Sequence, residues 1–151
     1  MEGVKSLKGL FTPKNPEKYA GDPKNIVYRS SWELTLMRRF DLDPNITSWA
    51  SEEFCIPYND RATGKLRRYF PDFVIKRRDK DGKIQVIVIE VKPHAQSVPP
   101  EKGNKTGKRY LAECKTFATN YSKWEYAVRF CAQKGWKFVV LTEREIYGRK
   151  I

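Results

Sequence analysis

The residues best suited by type and spacing to do chemistry lie at the end of one apolar run. Val86-Ile87-Val88-Ile89 leads directly into Glu90-Val91-Lys92-Pro93. Successive β-branched residues describe a strand covered on both faces. Alternation along a strand sends Glu90 and Lys92 to the same side at its C-terminal end. Burying either charge unpaired is costly, so the strand end needs partners. The preceding apolar segment offers one in Phe70-Pro71-Asp72-Phe73. Proline cannot donate to a strand ladder and marks a bend or bulge, and a bend there turns Asp72 toward Glu90. Two carboxylates held together stay ionised only with a cation between them. Oxygen ligands completed by water and substrate phosphate suit Mg2+, with Mn2+ as a substitute. Such an ion neutralises charge on a phosphodiester and activates a water. The Lys92 ammonium orients that water or offsets charge in the transition state. Taken alone, the same residues also describe a solvated strand end and a turn carboxylate, because short motifs recur by chance.

The elements that position these groups follow from periodicity. Residues 1–24, with Gly and Pro scattered among lysines, form an extended basic arm that is ordered only where it docks. Residues 25–151 make one domain. Tyr28, Trp32, Leu36 and Phe40 recur at helical spacing, which predicts a helix over 25–41 that begins near Asn25 and ends at Asp43-Pro44-Asn45. Strands are expected over 46–58, 66–76 and 84–92, separated by a turn at 59–65 and an Asp-Gly hairpin loop at 77–83. A long polar loop, 93–108, precedes the strongest helical pattern: Tyr110, Cys114, Phe117, Tyr121, Trp124, Val128 and Cys131, closed by Gly135. A last strand, 136–142, and a short helical or frayed tail complete the chain. The first three strands can form a meander. The fourth is reached through a helix, which predicts a parallel crossover onto the same sheet. The fold class is therefore α/β (α+β), with one mixed sheet between helices.

With these elements in place, the motifs resemble a known family. Pro71-Asp72 followed by Glu90-Val91-Lys92 resembles the signature of the PD-(D/E)XK nuclease superfamily. "YRSSWE" (28–33), "SEEFCIPY" (51–58), "RYFPDFVIK" (68–76), "EVKP" (90–93) and "KWEYA" (123–127) resemble, in order, the head-completion nucleases of large tailed phages. The resemblance implies a restriction-endonuclease-like αβββαβ core and a metal-dependent DNA endo/exonuclease acting on the packaged genome before heads join tails. It implies Asp72 and Glu90 as metal ligands, the Val91 carbonyl as a third, and Lys92 as the catalytic lysine. Glu33 matches a further acidic position, catalytic or metal-binding. Phage head or neck proteins would be partners, in the host cytoplasm during assembly or on the virion. Ser30-Ser31-Trp32-Glu33 also reads as a capping box. Glu52 and Glu53 read by default as solvated strand carboxylates, and His94 as a surface loop residue. The alternatives are another enzyme of the superfamily (a transposon-end endonuclease, repair nuclease or junction resolvase) or a structural protein that caps DNA ends without cutting them.

Bulk properties point to the same partner. Lys and Arg number 30 against 18 Asp and Glu, a net charge of +12 in 151 residues, which favours a polyanion. Arg67, Arg68, Lys76, Arg77, Arg78, Lys80 and Lys83 crowd one segment, and Lys102, Lys105, Lys108 and Arg109 another. These, with Lys123 beside Trp124, are the expected contacts to double-stranded DNA. No base-reading motif accompanies them, so low sequence specificity is expected. Cys55, Cys114 and Cys131 show no zinc or disulfide spacing. A Ser–His–Asp triad or a multi-histidine metal site would rest on one residue, His94, which argues against both. No apolar run approaches the ~18 residues that would span a bilayer. Oligomeric state is not legible.

Overall fold

The computed structural model describes residues 7–148. The first six residues of the expected arm and the last three of the expected tail lie outside the described residues. The described part of the arm docks on the body of the molecule. Short β1 (Gly9–Leu10) pairs antiparallel with β2 (Val27–Tyr28). Between them, the backbone N–H groups of Lys14 and Asn15 donate to the Asp41 carboxylate at 2.8 and 2.9 Å. Lys18 Nζ donates to the carbonyls of Asp41 and Asp43. Phe11 and Tyr19 are buried edge-on against Trp49, with ring centroids at 5.8 and 4.7 Å.

Helix α1 (Ser31–Leu42) starts later than its periodicity predicts. Residues Val27 and Tyr28 are taken by the β2 pairing, and Ser30 is extended and accepts the Glu33 N–H as N-cap. The expected strand 46–58 is two strands, β3 (Ile46–Ser51) and β4 (Ile56–Asn59), broken where Glu52 takes a left-handed φ of 52°. The expected strand 66–76 is likewise β5 (Leu66–Tyr69) and β6 (Phe73–Arg78), broken at buried Pro71. The severed pieces β4 and β5 pair with one another as a separate hairpin. Then follow β7 (Ile84–Val91), α2 (Gly107–Lys134), β8 (Lys137–Leu141) and the short α3 (Glu143–Ile146).

Strands β3, β6, β7 and β8 form one sheet in that order. The first three are an antiparallel meander, and β8 joins β7 in parallel through α2. Leaving the hairpin aside, the order is α1, three strands, α2, strand: the αβββαβ core of a restriction-endonuclease-like α+β fold. The hydrophobic strand β7 is central, as its unbroken apolar run requires.

Each sheet face has its own core. On the α1 side, Trp32, Leu36, Met37 and Phe40 pack on Trp49, Phe73, Ile75, Ile87 and Ile89. On the opposite side, Ile56, Tyr58, Tyr69 and Ala127 gather with Trp124, Phe130 and Phe138. The buried stripe of α2 therefore differs from the expected one. Cys131 is buried as expected, but Tyr121 and Val128 are exposed, while Asn120, Ser122 and Ala127 are buried. The hairpin causes this shift. Its turn lies on α2, with Arg61 N–H donating to Ser122 Oγ at 3.1 Å and Thr119 Oγ1 donating to Asp60 at 3.2 Å, so small polar residues are covered. Among the described residues no helix is long and apolar enough to cross a membrane.

Buried Asp41 ties the Lys14–Asn15 turn of the arm to the end of α1. Asp41→Ala is expected to lower the unfolding free energy by about 1–3 kcal/mol. It should also strip hydrogen-exchange protection selectively from the Lys14 and Asn15 amides.

Candidate active site

Strand register brings the two carboxylates together. Phe73 pairs with Ile89 in the antiparallel β6–β7 ladder, so the residue before Phe73 faces the residue after Ile89. Phe73 and Ile89 point into the α1 core; alternation then turns Asp72 and Glu90 to the other side. The Pro71 break sets the approach, and the Asp72 carbonyl accepts the Glu52 N–H at 3.1 Å. Asp72 Oδ2 accepts the Val91 N–H at 2.7 Å. Glu90, 6% exposed, accepts the Tyr69 O–H at 2.7 Å and lies 3.7 Å from Lys92 Nζ. The β6–β7 register sets Asp72 directly across from Glu90. Asp72, Glu90, Val91 and Lys92 thus form one cluster at the strand ends.

This cluster is electrostatically unhappy by itself. Asp72 is half-buried by area, yet surrounding protein desolvates it. That burial, followed by the neighbouring Glu90 charge, pushes its carboxyl up to about 8, against a smaller lowering by the Val91 N–H. Glu90 is also raised by burial, although Tyr69, Lys92 and Lys123 all favour its charged form. Burial and the charge of Glu90 together push the Tyr69 hydroxyl far up, so it stays protonated as a donor. Two buried oxygen-ligand groups that resist ionisation side by side are the donor set a hard divalent cation would relieve.

Glu33 reaches this site from the opposite wall. It stands in the first turn of α1, where its Oε1 accepts the Arg29 N–H at 3.0 Å. The reciprocal bond runs to the residue before the cap, so Glu33 does serve the helix end. Burial raises its pKa, and the charges of Glu52 and Glu90 add to that rise. Among the described residues, no group of three or more His, Cys, Asp or Glu is arranged to hold an ion. Asp72 and Glu90 are the two carboxylates brought together at the strand ends, and a pair of carboxylates with water is a donor set of the kind Mg2+ accepts. Glu52 pairs with Arg29, and Glu53 accepts the Tyr19 O–H. The His94 N–H donates to Glu143 at 2.8 Å.

The basic residues divide into two groups. Lys123, which sequence alone leaves as either a DNA contact or a solvated helix residue, reaches the site from α2. Its Nζ lies over the Tyr69 ring at 5.7 Å. Burial, then repulsion from Lys92, lowers its pKa, while Glu90, Asp60 and Asp72 raise it. Arg67 is paired with Asp60 at 3.1 Å and Arg68 lies over the Phe70 ring, both on the hairpin. Lys105 and Arg109 share Glu113, and Lys108 is exposed beside them. Lys76, Arg77 and Arg78 are exposed too, but β6 carries them away from Asp72: Arg78 pairs with Ile84 at the start of β7, whereas Asp72 faces its end. The basic run 67–83 is therefore not one surface. The pairing role of Tyr69 carried no signal in the sequence, because it depends on the hairpin folding back over β7.

The electrostatics have a measurable consequence. The folded-state pKa of Asp72 lies above the ~3.9 of an unfolded aspartate. The native state therefore keeps a proton that the unfolded state has released, and metal-free protein loses stability as pH rises from about 4 to 8. Asp72→Asn keeps an acceptor for the Val91 N–H and removes the charge. In EDTA at pH 8 it should raise Tm by roughly 3–6 °C, corresponding to ~1–2 kcal/mol, and flatten the pH dependence. A Tm unchanged or lowered at pH 8 would contradict the crowding of these carboxylates.

Comparison with known proteins agrees with this geometry. Residues 43–143, which span β3 to the start of α3, match the family model described as "TnsA-like endonuclease N terminal". The chain is also 41% identical over 142 residues to the "Head completion nuclease" of Enterobacteria phage T4, covering 91% of this chain and 92% of that protein. Nearly end-to-end similarity at that identity, on a fold that gathers the expected carboxylates and lysine, leads to one conclusion: the chain belongs to the TnsA-like endonuclease family, among the head completion nucleases.

Proposed function

We propose that the protein hydrolyses phosphodiester bonds of double-stranded DNA in a reaction that requires Mg2+ or Mn2+, with low sequence specificity. The observation that carries this reading is the Asp72–Glu90 pair, set across from one another by the β6–β7 register, with Lys92 Nζ 3.7 Å from Glu90. By analogy with its T4 relative, whose name assigns it to head completion, we further propose that it acts on packaged DNA before heads join tails. Head or neck proteins would then be its partners, in the host cytoplasm during assembly.

Asp72, Glu90 and the Val91 carbonyl would hold the ion. When bound, the ion supplies Lewis-acid stabilisation of the phosphate and lowers the pKa of a water. The remaining work falls to the protein. Tyr69, donating to Glu90 Oε1, leaves the other oxygen of that carboxylate to face Lys92. Lys92 holds the attacking water in line and offsets negative charge as the phosphorane-like transition state forms. Lys123, drawn to Glu90 and Asp72 yet half-buried over Tyr69, offers a second positive charge to the phosphate. Glu33, tied to the Arg29 N–H, approaches the same centre from α1. Exposed lysines and arginines provide salt-sensitive, sequence-independent affinity.

Purified protein incubated with linear and circular plasmid should degrade both in Mg2+ and neither in EDTA. Asp72→Asn and Lys92→Ala should each lower the rate by at least about 10²-fold. Tyr69→Phe should cost about 10–100-fold, as expected when the support of a metal ligand is lost. Cleavage that persists in EDTA, or survives both catalytic substitutions, would remove this mechanism. Inertness in every divalent metal would leave a DNA-capping role.

A further inference from the structure

A groove of about 700 Å³ lies between the loop after β7 and the N-terminal half of α2. Each of its two walls lies close in the chain to a residue of the candidate active site. One begins at Ala95, three residues past Lys92, and includes Val98 and Pro99. The other descends α2 from Asn120, which stands one helical turn before Lys123, through Phe117 to Arg109. Asn120 is only 6% exposed and lines the groove. Its amide presents a donor and an acceptor on the groove wall. At the mouth, Lys105 and Arg109 flank Glu113 at 2.6 and 3.2 Å. Lys102 and Lys108 are exposed nearby, so four cations face two carboxylates, Glu101 and Glu113.

Resting on the nuclease reading above, we propose that this groove receives an unpaired nucleotide of the strand being cut, next to the scissile phosphate. Phe117 and the apolar loop wall offer faces to a base. The Asn120 amide can meet a base edge with one donor and one acceptor. The basic mouth neutralises the backbone phosphates that must enter. The volume lies within the ~300–1,000 Å³ of sites that enclose small ligands, and a walled groove of this size admits a splayed nucleotide but not a duplex. DNA ends or junctions with unpaired nucleotides would then be preferred over uninterrupted duplex.

The test uses the full chain with two DNAs carrying 2-aminopurine, one in a single-stranded overhang and one inside a blunt duplex. Binding is followed in EDTA by fluorescence, and cleavage in Mg2+. Wild type should bind the overhang more tightly and alter its fluorescence. Phe117→Ala and Asn120→Leu should each lower the overhang-to-duplex affinity ratio by about 5–100-fold. Circular dichroism checks folding, and the partly exposed Phe117 keeps the test open should Asn120→Leu fail to fold. An unchanged ratio in folded Phe117→Ala overturns the assignment and leaves a polypeptide segment as the occupant. Wild-type cleavage in Mg2+ with no preference between the two DNAs also overturns it, while the nuclease reading stands. Phe117-dependent overhang binding without cleavage in any divalent metal upholds the groove and removes the nuclease reading instead.

Discussion

Two carboxylates pressed together on one side of a sheet form the constraint around which this chain is arranged. Neither Asp72 nor Glu90 has a position of its own that would explain its burial. Their juxtaposition follows from the β6–β7 register, in which Phe73 opposite Ile89 forces the next residues outward toward each other. A one-residue slip of β6 would send Asp72 into the α1 core and Phe73 out of it. The same hydrophobic packing that stabilises the fold therefore also enforces the repulsion. Proteins retain such conflicts where they are used, and destabilising charge pairs in a cleft are a sign of chemistry.

The second layer of the design lies outside the shared core. The β4–β5 hairpin is inserted between the first and second strands of the meander. It has no place in the main sheet, and it rests on α2 through Asp60, Arg61 and Ser122. Two groups reach the site because of it. Tyr69 arrives from β5 to donate to Glu90, and its ring gives Lys123 a surface to lie on. The hairpin thus joins an edge of the catalytic pair to the long helix. It also explains why α2 buries Ser122 while Tyr121 and Val128 stay exposed.

Breaks in the backbone mark the places where sequence patterns misled. Residues 46–58 and 66–76 each read as one strand because apolar alternation continues through them, yet each turns midway. At Glu52 the turn needs a left-handed backbone that no residue-type signal announces, since glutamate rarely adopts it. At Pro71 the signal is present, and a proline beside the candidate aspartate already suggested a bend. The start of α1 misled for a related reason. Tyr28 has the right spacing for the helix, but β2 claims it for pairing with a strand far back in the arm.

What the sequence determined by itself was local or periodic. The central strand, the parallel crossover, the glycine stop of α2 and the pairing of Asp72 with Glu90 and Lys92 all follow from alternation, helical spacing and turn residues. These depend on near neighbours, so they are written in short stretches of chain. Only the tertiary structure decided which face of α2 is covered, that Tyr69 and Lys123 belong to the site, and that Lys76, Arg77 and Arg78 stand away from it. Each of these turns on contacts between segments distant in the chain, where hairpin docking and sheet register, and not residue type, determine what a side chain meets.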